Sequence, residues 1–259
     1  MRWIDCVLFN GEPITKLRLA YLAPVVDVFY ICEARYTHQG ARKDILYTDT
    51  CREWFAPYAD KVKFVVYEEP YRHENYERAH RDFPVAAILA NEKGPYILSG
   101  CDIDELPDLR TMPPKEDIYR LCSQGGCVRM AQEFYYYHFG WRLTEMWTAP
   151  FFLNDTLLAK AQSLQRFRYH NPRVTVATIQ CGWHFSYFQS IAEIQRKLES
   201  FCHSEYNKDT YKNPAHIRAC IAAGKDLFLR NKTLVPADLS RFPQQIQDFA
   251  AEITALQSA

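Results

Sequence analysis

Short apolar segments alternate with stretches of helical spacing along the N-terminal part of the chain, and this alternation restricts the fold more than any other feature. The apolar segments that we predict to be strands are 4–9, 25–32, 62–67 and 96–99. Helical spacing covers 15–22 and 75–91, and Pro84 should kink the second helix or divide it in two. Alternating strands and helices predict an α/β fold with crossover connections. The expected sheet is central, mixed but mostly parallel, and flanked by helices, which suits strands made of uninterrupted apolar runs.

The C-terminal part of the chain has a less regular pattern. Strands are predicted at 118–121, 128–139 and 150–153. Helices are predicted at 155–164, 188–202, 215–223 and 244–256. Segment 179–187 fits either a strand or a helix, while Asp155 and Gly224 have the residue types expected of an N-cap and of a helix end. Since no repeat, low-complexity tract or linker interrupts the sequence, we predict a single domain over residues 1–259.

Composition and charge argue against several classes of protein. Lys plus Arg and Asp plus Glu are both 31, so the formal net charge is zero, and we expect no nucleic-acid partner because such proteins usually carry a basic surplus. The nine cysteines include no C-x-x-C pair, which argues against a zinc knuckle or a thioredoxin-type motif. Scattered thiols, without a signal peptide or an apolar run long enough to span a membrane, predict a cytoplasmic protein.

An acidic cluster with the sequence DIDE occupies residues 102–105, shortly after the predicted strand at 96–99. Ligands of open α/β sheets bind beyond the carboxyl ends of strands, and carboxylates this close together repel one another unless they share a cation. Mg²⁺ and Mn²⁺ prefer such oxygen ligands, commonly together with substrate phosphates. An acidic turn in solvent fits the segment equally well. A phosphatase of the haloacid dehalogenase type, with Asp102 as nucleophile, is a further alternative.

A second candidate site lies at 181–187, where the sequence is CGWHFSY. His184 stands between aromatic residues shortly after Gly182, and a histidine in this setting can ligate a metal or donate to a phosphate. A buried histidine with one hydrogen bond explains the same pattern. The segment therefore makes His184 a candidate without deciding its role.

Several separated segments, taken together, resemble glycosyltransferase family 17. They occur in the order and with the spacing of that family over roughly residues 5 to 225. The matching segments are FNGE at 9–12, VDVF at 26–29 followed by Glu33, Thr37, Gly40 and Lys43, the pair Glu77 and Arg81, DIDELP at 102–107, and GWHFS at 182–186. The best-known member of the family adds the bisecting N-acetylglucosamine to the β-mannose of N-glycans. Residues 127–168 depart from the family pattern, and we expect them to shape the acceptor side.

The resemblance implies an inverting, metal-dependent enzyme with a Rossmann-like fold of the GT-A type. Such an enzyme transfers a sugar from a nucleotide-sugar donor, here expected to be UDP-N-acetylglucosamine, to an oligosaccharide or another glycan acceptor. The implied cofactor is Mn²⁺ or Mg²⁺. Residues 1–107 would form the nucleotide-binding half of the domain, and 108–259 the acceptor half with the C-terminal helices.

The resemblance also implies roles for the residues of the two candidate sites. Asp104 corresponds to the main metal ligand, with Asp102 and His184 as further ligands, and Asp102 also reaches the ribose. Glu105 is implied to act in catalysis by orienting a hydroxyl of the donor sugar.

The resemblance also implies residues that contact the nucleotide-sugar, of which Asn10 and Glu33 lie at the ends of the first two predicted strands. The resemblance implies this role for Asn10, Glu33, Lys43, Arg81 and Asp102. Lys43 and Arg81 would add positive charge near the diphosphate, although a surface salt bridge explains either residue. Glu33 is equally explained as a structural cap.

Inversion requires a general base that deprotonates the acceptor hydroxyl. The candidates between the acidic cluster and His184 are Glu133, Glu145 and Asp155. We favour Asp155 because it opens a predicted helix directly after an apolar strand, although N-capping explains this position equally well. Two other functions remain open. One is a glycoside hydrolase, which needs paired carboxylates across a cleft, and the other is a catalytically inactive carbohydrate-binding protein of the same fold.

Overall fold

The computed structural model describes residues 1–72, 75–169 and 171–258. Over these residues the chain forms a sheet of ten strands flanked by helices. The strands are β1 (Arg2–Leu8), β2 (Val28–Ala34), β3 (Val62–Tyr67), β4 (Tyr96–Asp102), β5 (Glu105–Leu106), β6 (Cys127–Tyr136), β7 (Trp141–Trp147), β8 (Phe151–Asn154), β9 (Thr175–Ser186) and β10 (Leu234–Pro236). The helices are α1 (Ile14–Leu22), α2 (Tyr47–Thr50), α3 (Arg52–Phe55), α4 (Tyr76–Asp82), α5 (Pro84–Asn91), α6 (Lys115–Cys122), α7 (Asp155–Ala161), α8 (Gln165–Arg168), α9 (Ile191–Ser200), α10 (Asp209–Lys212), α11 (Pro214–Ala223) and α12 (Gln244–Ser258). Short 3₁₀ turns cover Ala56–Tyr58, Ser204–Tyr206 and Leu239–Arg241.

The N-terminal half of the sheet is parallel, as the alternation of strands and helices predicts. β1 pairs in parallel with β2 and β4, and β2 pairs in parallel with β3. Neighbouring residues of β4 enter different hydrophobic clusters, with Ile97 in one and Leu98 in the other. Helices cover these faces, which is why the strands are apolar runs with no polar alternation. Pro84 divides the predicted helix at 75–91 into α4 and α5.

The C-terminal half of the sheet is largely antiparallel, which corrects the prediction of a mostly parallel sheet. β8 pairs antiparallel with β4 and with β6, and β7 pairs antiparallel with β6 and with β10. The connection between β6 and β7, residues 137–140, is too short for the crossover that parallel strands require. Tyr137 adopts a positive φ of 67° in this turn. The parallel pairing of β6 with β9 makes this half mixed.

Two local predictions were also wrong. The segment 118–121 lies within helix α6, because Ile118 and Cys122, four residues apart, bury one helical face behind Pro114. The cap of α7 is Asn154, whose side chain accepts a 2.8 Å hydrogen bond from the backbone N–H of Leu157. The ambiguous segment 179–187 is a strand over most of its length. The predicted helices around α9 and α11 are confirmed, and α11 ends at a left-handed glycine.

A short strand pairing joins the two candidate sites that the sequence singles out. β5 pairs antiparallel with β9, so that Glu105 lies opposite His184, and the backbone N–H of Phe185 donates to the carbonyl of Asp104 at 2.8 Å. Gly182 makes this approach possible, because its φ is +100° and an added Cβ would lie 2.0 Å from the carbonyl oxygen of Leu106. The acidic cluster and the GWHFS segment therefore meet at one edge of the sheet.

Neither a membrane span nor a disulfide features in the described ranges. None of their helices has the length and the apolar character needed to cross a membrane. All nine cysteines are free thiols, and seven of them are buried. Buried thiols of this kind pack as small hydrophobic side chains.

Candidate active site

A cavity of about 730 Å³ opens at the carboxyl ends of β1, β2 and β4. Residues of both halves of the chain line it, including Asn10, Asp102 and Asp104 from the N-terminal half and His184 and Lys197 from the C-terminal half. Its size falls within the roughly 300–1,000 Å³ that small-molecule sites occupy. Its position follows the rule that open α/β sheets bind ligands beyond the carboxyl ends of their strands.

Asp102, the first carboxylate of the acidic cluster, is held by two arginines. Arg81 approaches it at 2.9 Å and Arg168 at 2.5 Å, and Arg81 also pairs with Glu77 at 3.1 Å. Burial opposes the ionisation of Asp102, but the two guanidinium groups outweigh it and lower its pKa to about 2. Asp102 is therefore a charged residue whose contacts are arginines.

Glu105 lies beneath the cavity and its oxygens are already bonded. Arg168 donates to both of them at 2.6 and 2.7 Å, the indole N–H of Trp147 donates to one, and the backbone N–H of Asp102 donates at 2.6 Å. Glu105 is fully buried and does not line the cavity. Its predicted contact with the donor sugar finds no support in this geometry, because the carboxylate anchors Arg168 and the turn.

Arg18 fixes the backbone of the acidic turn, a role that no sequence pattern indicates. Its guanidinium pairs with Asp5 through two 2.7 Å hydrogen bonds and donates to the carbonyl oxygen of Glu105 at 2.7 Å. The Nη1 atom of Arg18, which donates to Glu105, also lies 3.3 Å from the carbonyl oxygens of Asp102 and Ile103. Arg18 has no exposed surface, which only the fold reveals.

Asp104, the second carboxylate of the cluster, lies between a lysine and a histidine. Its Oδ2 is 3.1 Å from Nζ of Lys197, and its Oδ1 is 3.6 Å from Nε2 of His184. Burial opposes ionisation, yet Lys197 and then His184 hold the pKa of Asp104 well below its usual range. The His184 ring stacks on Phe134 at 4.3 Å and contacts Trp147 at 4.7 Å, which fixes its orientation.

The predicted metal ligands are only partly brought together. Among the described residues, no group of three or more His, Cys, Asp or Glu side chains is arranged to hold a metal ion. Asp102 turns towards the arginines, whereas Asp104 and His184 converge. Their 3.6 Å separation is too long for a hydrogen bond and suits two ligands of one ion. Mg²⁺ commonly binds through one or two protein ligands, with waters and substrate phosphates completing its shell, so these two residues fit a divalent cation.

Carboxylates outnumber cations around this end of the cavity. The described carboxylates are Glu12, Glu33, Glu77, Asp102, Asp104 and Glu105, and the described cations are Lys43, Arg81, Arg168 and Lys197. Burial raises the pKa of Glu12. An anionic ligand that enters this region therefore needs additional positive charge beside it.

Glu33 and Lys43 form a buried pair next to Asn10. Glu33 accepts hydrogen bonds from Lys43 at 2.7 Å and from the backbone N–H groups of Tyr47 and Thr48 at 2.9 and 2.8 Å. Lys43 also reaches Oδ1 of Asn10 at 3.3 Å, and burial lowers its pKa. Asn10 and Lys43 line the cavity, whereas Glu33 lies behind them and anchors the loop. The position of Glu33 therefore agrees with the alternative interpretation of this residue as a structural cap.

A histidine pair that the sequence does not point out lines the same end of the cavity. Nε2 of His38 lies 3.1 Å from Nδ1 of His80. Burial lowers the pKa of His38 to about 4 and lowers that of His80 well below its ordinary value. Both imidazoles are therefore neutral at physiological pH.

Aromatic side chains from the C-terminal half of the chain line a large part of the cavity. They are Phe134, Tyr136, Trp147, Tyr187, Tyr206 and Phe228. Tyr206 stacks on Phe228 with ring centroids 3.9 Å apart, and the guanidinium of Arg230 lies 4.8 Å from the Phe228 ring. Asp226 holds Arg230 in place. We call the six aromatic residues the aromatic wall.

The three candidate general bases occupy different places. Glu145, on β7, lines the cavity and pairs with Lys232. Glu133 does not line the cavity, and it accepts hydrogen bonds from Tyr135 and Arg241, both at 2.8 Å.

Asp155 lies at the other end of the sheet from the acidic cluster. Its neighbour Asn154 pairs with Ile97 near the start of β4, five residues before Asp102. At about 3.3 Å per residue, this is a separation of about 17 Å along the strand. Asp155 does not line the cavity, so the geometry argues against the favoured prediction that it is the general base.

Comparison with known proteins identifies the family. No curated protein matches the chain. The sequence model of glycosyltransferase family 17 matches residues 1–245, a range that contains every described residue lining the cavity. The match extends through both the parallel half of the sheet and the aromatic wall. The chain therefore belongs to glycosyltransferase family 17 and is a glycosyltransferase.

Proposed function

We propose that this glycosyltransferase transfers N-acetylglucosamine from UDP-N-acetylglucosamine to a carbohydrate acceptor with inversion, using Mn²⁺ or Mg²⁺ on a GT-A-type fold. One observation carries the proposal. In a chain of this family, Asp104 and His184 converge within 3.6 Å at the carboxylate-rich end of a large cavity. A nucleotide diphosphate is the part of the donor that such a place, supplemented by a divalent cation, would bind.

The donor side of the reaction uses charges that are already positioned. Asp104 and His184 would hold the cation, which when bound neutralises negative charge on the leaving diphosphate. Arg81 and Lys43 line the same cavity and add positive charge to it. Asn10 lies at the end of β1, where a nucleotide crosses the sheet edge in open α/β folds.

Glu145 is the base that we propose in place of Asp155. It is the one member of the three candidates that lines the cavity, and it lies on β7 beside the aromatic wall. Inversion needs a base on the acceptor's side of the anomeric carbon, opposite the leaving group. Lys232, which pairs with Glu145, would hold the carboxylate in position.

The aromatic wall suits the acceptor, because aromatic faces pack against the apolar faces of sugar rings. We call the end of the cavity that contains Asp102, Asp104 and Arg81 the donor end. The aromatic wall and the donor end belong to one cavity, so both substrates would meet within it. The free thiols support residence in a reducing compartment such as the cytoplasm.

Calorimetric titration of UDP, with Mn²⁺ and with chelator, tests the proposal. We expect UDP to bind with Mn²⁺ and to lose affinity in chelator, while other nucleoside diphosphates bind less tightly. Asp104→Asn should lower kcat/KM by at least about 100-fold, because charge stabilisation of the leaving group is lost. The matched control is Asp117→Asn on α6, whose carboxylate pairs with exposed Arg120 outside the cavity.

Different failures would point to different functions. Full activity of Asp104→Asn would contradict the metal assignment. Sugar binding without any nucleotide binding would favour a carbohydrate-binding protein without catalysis. Glycoside hydrolysis that persists in chelator would favour a glycosidase.

A further inference from the structure

Lys197 differs from the other cations of the donor end in how it is held. It extends from the last turn of α9, and its side chain is 18% exposed. Over the described residues its ammonium donates one hydrogen bond, to Asp104 at 3.1 Å, and otherwise lies 5.4 Å from the centre of the Tyr187 ring. An ammonium has three N–H donors, so this group retains capacity for a further anionic partner.

The arginines at the same end of the cavity have no such freedom. Arg168 bonds to Asp102 and to both oxygens of Glu105, and Arg81 bridges Asp102 and Glu77. A guanidinium held by two carboxylates is fixed in its plane, whereas a lysine has a flexible four-carbon stem and a compact charge. Unlike these two arginines, Lys197 can change partner with a small movement of its side chain.

Lys197 also occupies a position that a metal ion would use. Its ammonium neutralises Asp104, one of the two residues suited to a divalent cation, and its charge also acts on Glu12. A cation that arrives at Asp104 while Lys197 remains there meets like charge at close range. A diphosphate that enters beside Lys197 offers the ammonium an alternative anionic partner and so relieves that repulsion.

We propose that Lys197 is an internal counter-ion of Asp104 which a nucleotide diphosphate draws away, so that the divalent cation and the diphosphate bind as a coupled pair. The inference rests on the proposed function, since it takes the cation and the diphosphate as the ligands of this cavity. Free of nucleotide, the protein keeps the Asp104 carboxylate paired without a metal. With nucleotide bound, Lys197 contacts the diphosphate and Asp104 becomes a full metal ligand. Lys197 is thus a positioning residue for the metal as well as a contact of the donor.

The coupling can be measured from the binding of Mn²⁺ alone and of Mn²⁺ with saturating UDP. Electron paramagnetic resonance measures the concentration of free Mn²⁺ and therefore gives the Mn²⁺ affinity under both conditions. The Mn²⁺–UDP complex that forms in solution is included in the calculation. In the unaltered protein UDP should tighten Mn²⁺ binding by a factor in the range of about 5 to 150, typical of coupled sites. In Lys197→Met, Mn²⁺ alone should bind roughly tenfold tighter than in the unaltered protein, because the competing charge is gone, and the enhancement by UDP should shrink.

Matched variants separate competition at Asp104 from a general change in charge. Lys212→Met removes the same charge at a lysine outside the cavity that pairs with Glu199, and it should leave Mn²⁺ affinity unchanged. Lys197→Arg keeps the charge and should keep Mn²⁺ binding weak in the absence of nucleotide. Lys197→Gln carries the same test if the methionine variant does not fold, and circular dichroism verifies the fold of each protein.

The outcomes discriminate between the two proposals. Tighter binding of Mn²⁺ alone in Lys197→Met supports the inference, and loss of structure cannot produce such a gain. If folded Lys197→Met and Lys197→Gln bind Mn²⁺ no tighter than the unaltered protein, while UDP still promotes Mn²⁺ binding, the role of Lys197 is wrong and the proposed function stands. If Mn²⁺ binds none of these proteins even with UDP, the metal dependence and this inference fail together.

Discussion

Two parts of the cavity differ in their chemistry. The donor end lies at the carboxyl ends of the parallel strands and contains charged side chains of both halves of the chain, such as Asp102 and Arg168, that hold one another in fixed positions. The rest of the cavity presents the aromatic wall, with Glu145 on the same strand as Trp147. Fixed charges suit a diphosphate, and aromatic faces suit sugar rings whose hydroxyls vary from one acceptor to another. The comparison indicates that changes on the donor end should affect folding and nucleotide binding, and changes on the other side should affect the acceptor.

Replacing Arg168 should give the largest effect. Arg168→Met leaves Glu105 without its cationic partner and Asp102 with Arg81 alone, and breaking such a buried pair costs about 3–5 kcal/mol of unfolding free energy. Urea denaturation measures the loss. Arg166→Met, on the same short helix but exposed, should stay within about 0.5 kcal/mol of the unaltered protein. Equal stability of the two variants would contradict the structural dependence of the donor end on buried ion pairs.

Removing the proposed base should separate the two sides most clearly. Glu145→Gln should lower kcat by about 100-fold or more, the range of general acid–base catalysis, and leave UDP affinity unchanged. Glu133→Gln is the matched control, because Glu133 lies outside the cavity and should retain kcat within a few-fold. Single-turnover transfer rates and calorimetry provide the two measurements. A Glu145→Gln enzyme with normal kcat would exclude this carboxylate as the base.

Stability should depend on pH through the histidine pair of the donor end. The pKa of His38 is lowered to about 4 by burial, whereas a histidine in the unfolded chain titrates near 6.5. Between these values the unfolded chain binds more protons, so unfolding free energy increases with pH, reaching its full value above about 6.5 and falling as the pH drops towards 4. Denaturation at pH 5 and pH 7 measures the difference. It should shrink in His38→Gln and persist in His203→Gln, since the His203 side chain is 59% exposed.

The aromatic wall should give the smallest effect. Tyr206→Ala removes a ring stacked on Phe228, and such contacts contribute about 0.5–1.5 kcal/mol. The acceptor KM should rise about 2- to 10-fold by the same estimate, while UDP affinity stays constant. Tyr206→Phe keeps the ring and should keep the KM. A change in UDP affinity of Tyr206→Ala would mean that the wall also serves the donor.

Prediction from the sequence was most accurate where local patterns decide the structure. The apolar runs located the parallel strands, Pro84 separated α4 from α5, and Gly224 ended α11. The family resemblance directed attention to Asp104 and His184, which the fold does bring together. Where two local patterns compete the prediction was wrong, as at 118–121, where apolar residues fit a strand but bury one face of a helix.

The cations of the site escaped prediction because nothing in their sequence neighbourhoods distinguishes them. Arg18, Arg168 and Lys197 stand among residues of ordinary helices, and their significance comes from carboxylates that lie 13, 63 and 93 residues away in the chain. Asp155 had a clear local pattern, but it lies beside the start of β4, whereas the acidic cluster follows the end of that strand. Glu145 had no special pattern and lines the cavity.

The sequence by itself determined the order of the parallel strands and helices, the acidic turn after β4 and, through the family resemblance, the class of enzyme. These features depend on local periodicity or on residues close together in the chain, so they can be recognised without coordinates. The tertiary structure alone decided which carboxylates are bound by arginines, which one faces a histidine, and which candidate base reaches the cavity. Such distinctions arise when distant segments pack side by side, because a charge taken out of water is tolerated only beside a partner that the fold supplies.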